Sequence, residues 1–113
     1  MFDINPETIA DFVLRDWAGD AVFNRGKKYY LDGHAQIDIL DNHYVKLTVR
    51  GTSNYTVYLE LDLDNGQIYV ACNCPQSAQG AFCKHMVAAC ICFRDEHLEP
   101  NRQSPWKRTL RLE

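Results

Sequence analysis

Residues 70–93 read VACNCPQSAQGAFCKHMVAACICF, and the reading of this stretch decides the rest of the chain. It holds two short pairs, Cys72-x-Cys74 and Cys83-x-His85, with eight residues between them. In an extended chain residues i and i+2 point to one side, so Cys72 and Cys74 can face a common ion. On a helix the same two would diverge by about 200°. The first pair therefore predicts the end of a strand. Pro75 has no N–H for a sheet ladder and closes that strand, and a loop over 76–82, with Gly80, carries the chain back. From Cys83 a nearly unbroken apolar run reaches Phe93, which predicts a helix over about 83–96 buried on more than one side.

The start of a helix favours thiolate through its dipole, and the longer imidazole of His85 can absorb an angular mismatch. Three thiolates and one neutral imidazole fill a tetrahedral Zn2+ shell, with Zn–S about 2.3 Å and Zn–N about 2.0–2.1 Å. Cys72, Cys74, Cys83 and His85 are thus the expected metal ligands. They leave no position for water, so the expected site is structural, with no catalytic residue. The competing account is four unrelated residues, since buried cysteines are common core fillers. Cys90 and Cys92 lie in mid-helix and read as core packing, with Cys92 also a substitute ligand. His34, His43 and His97 have no second ligand nearby and read as surface or capping residues.

Upstream of this stretch the hydrophobic period is two. Ala35, Ile37 and Ile39 alternate with polar residues, then Val45, Leu47 and Val49, then Tyr55, Val57, Leu59, Leu61 and Leu63, and a last strand runs over 67–72. Turns at Asp41-Asn42, over 51–54 and at Asp64-Asn65-Gly66 join them; the last is a strong hairpin signal because primed turns need positive φ. Further upstream the period is helical. Asn5 is placed to cap a helix with Pro6 at its first position, and Ile9, Phe12, Val13 and Trp17 mark its buried face. Gly19 stops that helix, and Asp20 is placed to cap a second one that carries Val22, Phe23, Tyr29 and Tyr30 and ends before Gly33. The expected class is α+β: N-terminal helices, a four-stranded antiparallel meander, a zinc-binding loop and a C-terminal helix packed on the sheet. A single domain over 1–97 is expected, with a helical lead-in at 5–32, the sheet at 34–72, the finger at 70–96, and a linker or tail at 98–113.

Composition narrows the function. With 113 residues and 46% apolar content the chain can build one core, and no run of 18 apolar residues is present. The start, MFDINPETIADF, has no basic segment followed by an apolar one, so no secretory leader is expected and a cytoplasmic location is. The five cysteines crowd between 72 and 92, whereas a disulfide framework would spread them. A formal net charge of −3 disfavours a protein that lives on bulk phosphate attraction.

At its four ligand residues the sequence resembles the SWIM-type zinc finger, C-x-C, a variable loop, then C-x-H: Cys72-Asn73-Cys74, PQSAQGAF, Cys83-Lys84-His85. The flanks are also similar, with CNCP continuing into Pro75 and CKHMVAA opening an apolar helix. Upstream, FNRGKKYY over 23–30 followed by Gly33 resembles the RG-x-x-Y segment that precedes the finger in bacterial proteins. The resemblance covers about 20–97. It implies a module that binds DNA or proteins, of the kind found at the N-terminus of SWI/SNF-family helicase-like ATPases, nucleoid-associated if bacterial. No G-x-x-x-x-G-K-[ST] phosphate loop occurs in these residues, so the chain reads as an excised N-terminal module or a stand-alone copy.

Two kinds of partner are expected for what reads as a monomer without a membrane anchor. For nucleic acid, the candidate contacts are Arg25, Lys27, Lys28 and Lys84, with Lys107 and Arg108 next to Trp106 in the tail. For a protein partner without nucleic acid, Tyr44, Tyr58 and Tyr69 on the wetter sheet face are the candidates. An enzyme is the third reading, with Cys83-x-His85 as a thiolate–imidazole pair or Cys72-x-Cys74 as a redox dithiol. Nothing in the sequence supplies an orienting acid for either.

Overall fold

The computed structural model describes residues 6–62, 67–98 and 109–112. The chain opens with a 3-10 turn, Pro6–Ile9, and after a break at Ala10 forms α1, Asp11–Ala18. Asn5, expected as a cap, lies outside the described residues. The break resets the helical phase, so the inward residue is Leu14, while Phe12, expected inside, is 62% exposed. Trp17 is also largely exposed, although its ring lies 6.0 Å from that of Phe82 in the loop after the sheet.

Gly19, at φ 83, ends α1 and starts α2, Asp20–Leu31. Its N–H donates to the Arg15 carbonyl (2.8 Å) and its carbonyl accepts from the Phe23 N–H (2.9 Å). Asp20 is therefore the first helical residue and not the cap; its carboxylate faces Arg15 at 3.3 Å. Gly33, at φ 78, closes α2, its N–H on the Tyr30 carbonyl.

The expected antiparallel meander follows as β1 Ala35–Leu40, β2 Tyr44–Arg50, β3 Asn54–Asp62 and β4 Gln67–Cys72. Its register sets Leu47 opposite Val57 and Leu59 opposite Val70. Val45, Leu47, Val49, Val57, Leu59, Leu61, Ile68 and Val70 all turn to the same face and are buried. That is what alternation with one wet face dictates. β1 departs from it. A register shift between Ile37 and Ile39 turns Ile39 outward, where it is 41% exposed. The Asp41 carboxylate accepts from the His43 N–H (2.9 Å) and stabilises the first turn. Leu63 and the Asp64-Asn65-Gly66 hairpin lie outside the described residues.

A fifth strand, β5 Thr109–Leu112, lies parallel to β4 at the sheet edge. It falls within 98–113, expected as linker or tail. The difference has a physical origin: β4 would otherwise present a free row of backbone donors and acceptors, and β5 lies beside Gln67, Ile68, Tyr69 and Val70 of it.

The last helix, α4 Lys84–His97, is buried at every position from His85 to Phe93. It lies on the inner sheet face, and α2 and α1 pack against its other side. A helix covered on two sides has no room for a polar stripe, which explains its sequence. Arg94 then pins its end to the start of the chain. Its Nη1 donates to the Ile9 carbonyl (2.9 Å) and to Asp11 Oδ1 (2.8 Å), and its Nε donates to Asp95 (2.8 Å).

Candidate metal centre

Cys72 is the last residue of β4, opposite Val57. Asn73 carries the pairing one step further. Its N–H donates to the Thr56 carbonyl (3.2 Å), and its side-chain oxygen accepts from the Thr56 N–H (2.9 Å). The residue between the two cysteines is thus held extended, and both thiols project to one side. Cys74 is extended as well (φ −79, ψ 162) and caps a short helix, α3 Pro75–Ala78, its Sγ accepting from the Ser77 N–H at 3.4 Å. Pro75 therefore starts a helix, at the position where its missing N–H costs nothing. The expected irregular loop 76–82 contains most of this turn. Gly80, at φ 81, then reverses the chain toward Cys83.

Cys83 (φ −89, ψ 167) is the residue before α4, and its carbonyl accepts the helix's first bond, from the Val87 N–H (3.2 Å). His85 follows on the first turn. One donor atom from each of Cys72, Cys74, Cys83 and His85 lies within 4.8 Å of all the others, an arrangement that can hold a metal ion. The four expected ligands are brought together. Cys72 Sγ is 4.0 Å from His85 Nδ1. Cys72 is half-buried and the other three are buried.

The electrostatics of the cluster favour one thiolate at the helix start. A hydrogen bond from the Cys72 thiol, opposed by burial and helped by His85 and the Met86 backbone N–H, brings Cys83 down to about 4. Cys72 moves the other way, because its proton is held in that bond to Cys83, with burial and the Cys83 charge adding to the effect. A soft cation entering the cluster would displace the shared proton and neutralise the repulsion among sulfurs.

His85 is clamped between rings. Tyr55 on β3 is 4.3 Å away, centroid to centroid and inclined by 33°, and Tyr29 on α2 is 5.9 Å away. Tyr29 also touches His34 (5.2 Å) and carries the Lys84 ammonium over its ring (5.5 Å). α2 reaches this site because Gly26 sits directly against Val87 and the Lys84 carbonyl of α4. Sequence reasoning did not assign Gly26, Tyr29, Asn73 or Tyr55 to the site. The one available signal was the FNRGKKYY segment, which contains the first two.

Cys90 and Cys92 do not join the cluster. Burial pushes Cys90 up to about 12, which keeps it a neutral core filler. The Cys92 thiol donates to Glu96 Oε2 at 2.9 Å, so its use as a substitute ligand is corrected: it bonds one turn toward the far end of the helix. His34 Nδ1 lies 2.9 Å from the Arg50 carbonyl, His43 is in an exposed turn, and His97 packs on Phe93. The candidate nucleic-acid contacts separate. Lys27 pairs with Asp11 (3.4 Å) and Lys28 with Asp32 (2.9 Å), Arg25 is exposed, and Lys84 is half-buried over Tyr29. Lys107 and Arg108 lie outside the described residues.

Compared with protein-family models, with curated proteins and with solved structures, the chain finds no match.

Proposed function

We propose that this chain is a zinc-stabilised binding module contacting DNA or a protein partner, an accessory domain of a helicase-like ATPase. The observation that supports the metal-binding part is the convergence of three sulfurs and one imidazole within 4.8 Å; the binding role and the helicase association follow from the resemblance to the SWIM-type finger. Zinc at about 2.3 Å from sulfur and 2.0–2.1 Å from nitrogen needs ligand–ligand edges of about 3.5–3.8 Å. Contraction of the cluster by about 1 Å at its widest would meet that. Bound there, the ion supplies a tetrahedral cross-link between the end of β4 and the first turn of α4. Asn73 and the cap at Cys74 orient the first pair, the helix start orients the second, and no ligand position remains for water. Elemental analysis of purified protein tests the reading: one zinc per chain is expected, and metal-free protein of unchanged fold and stability would overturn it.

The DNA version rests on Arg25 and Lys84, with Lys107 and Arg108 beyond the described residues, because Lys27 and Lys28 already face carboxylates. A protein partner gains support from the outer sheet face. There Glu60 stands directly across from Tyr44 on one side and Tyr69 on the other, with Tyr58 two residues back on its own strand. Tyr44 and Tyr58 are exposed, and Glu60 makes no ion pair with another described residue. A carboxylate bracketed by phenol rings suits a basic side chain from a partner. Titration with short DNA at several salt concentrations separates the two. Affinity that falls steeply with salt supports DNA, and none at low salt leaves the protein partner.

A further inference from the structure

The His85 ring has two nitrogens in different surroundings. Nδ1 faces the sulfurs, whereas Nε2 is buried and has no hydrogen-bond partner. Nε2 is the only fully buried side-chain nitrogen or oxygen among the described residues in that condition. A histidine that binds metal through one nitrogen normally donates the other N–H to an oxygen, which fixes its tautomer and ring angle. A buried ring nitrogen without a partner is unfavourable, so this site favours whatever small shift supplies one.

The surroundings of Nε2 come from two elements far from the finger in sequence. Gly51, in the turn between β2 and β3, presents only hydrogen here. A Cβ at 51 would stand 3.3 Å from His85 Nε2, 3.4 Å from Tyr55 Cε2 and 3.5 Å from the Tyr29 hydroxyl. The imidazole nitrogen and the phenol oxygen therefore border the same spot above Gly51. The Tyr55 hydroxyl is already engaged with Thr52 Oγ1 at 3.2 Å, whereas the Tyr29 hydroxyl makes no hydrogen bond to another described residue.

We propose that His85 holds the ion through Nδ1, and that the Tyr29 hydroxyl is the acceptor its Nε2–H takes up when the sulfurs close on the metal, across a gap kept open by Gly51. The inference rests on the metal-binding reading above. Tyr29 is a positioning residue: it touches no ion and acts by fixing the imidazole. It makes α2 part of the metal centre and gives the lead-in helix a role in metal affinity.

The test is Tyr29→Phe in the full chain, which keeps the ring between His34 and His85 and removes one oxygen. Zinc affinity by chelator competition should fall about 10–100-fold, the range for loss of such a partner. The metal-free variant should unfold at the same denaturant concentration as the parent. In the zinc-loaded parent, nitrogen-15 spectra of the histidine rings should show Nδ1 metal-bound and Nε2 protonated. Unchanged affinity in Tyr29→Phe, or a metal-bound Nε2, would overturn the proposal while zinc binding stands. A parent chain that takes up no zinc at all would instead remove the reading beneath it.

Discussion

Gly26 of α2 lies so close to Val87 of α4 that a Cβ on Gly26 would stand 2.5 Å from the Val87 Cβ and 2.7 Å from the Lys84 carbonyl oxygen. Real carbon contacts of that length do not occur, and one of the two obstacles is helix backbone. The position reverses an ordinary rule. In an open mid-helix site, replacing glycine by alanine stabilises by roughly 0.5–1 kcal/mol. Here Gly26→Ala must push α2 off α4, and overpacking of this kind costs about 1–3 kcal/mol. The expected result is a net loss of stability in urea unfolding. Zinc affinity should fall with it, because the same displacement withdraws Tyr29 from His85.

If the cluster holds zinc as proposed, removing the ion is expected to have a bounded effect. Structural zinc is worth roughly 10–16 kcal/mol in small fingers, against net stabilities of about 5–15 kcal/mol for whole domains. The core between α4 and the sheet does not pass through the ligands, however: residues 86–93 stay packed against Val45, Leu47, Val57 and Leu59 by apolar burial. Cys74→Ser is therefore expected to abolish stoichiometric zinc and expose amides over 73–85 to fast hydrogen exchange. Protection in β2, β3 and the middle of α4 should remain. Complete unfolding would show that the ion supports the sheet as well.

The two remaining cysteines provide a control. Cys90 is a neutral thiol inside the core, and Cys92 donates to Glu96. Cys90→Ala and Cys92→Ala should each retain one zinc per chain and cost about 1 kcal/mol of stability, the typical value for a modest core truncation. A drop in zinc content for Cys92→Ala would mean that its thiol can turn away from Glu96 toward the ligands.

What could be read in advance divides along range in sequence. The clustering of Cys72, Cys74, Cys83 and His85 was legible because C-x-C and C-x-H each act locally, one on an extended segment and one at a helix start. The central strands were legible because a sheet with one wet face enforces alternation. Phe12 was misplaced because the period was counted through Ile9, across a break that resets the helix. Ile39 was misplaced because a bulge turns one residue and leaves no mark on the pattern. β5 has little signal of its own and is a strand only because β4 stands beside it. Gly26, Tyr29, Gly51 and Tyr55 serve the site across long separations, and pattern within one element carries no information about which distant side chain it will meet.

The Arg94–Asp11 contact gives a pH dependence with a definite sign. Arg94, with a side chain only 16% exposed, joins the end of α4 to Asp11 and to the Ile9 carbonyl. Burial by itself would raise the Asp11 carboxyl, but the Arg94 hydrogen bond and charge, with Lys27 behind them, outweigh it and lower the value below 3.8. A carboxyl depressed by folding adds stability above its unfolded value and loses it as pH falls through the folded one. Urea midpoints should therefore decline below about pH 4 more steeply in the parent than in Asp11→Asn. At pH 7 Arg94→Met should cost about 1.5–3 kcal/mol, the range for hydrogen bonds involving a charged group. Identical acid slopes in the parent and Asp11→Asn would show that this ion pair carries no part of the acid sensitivity.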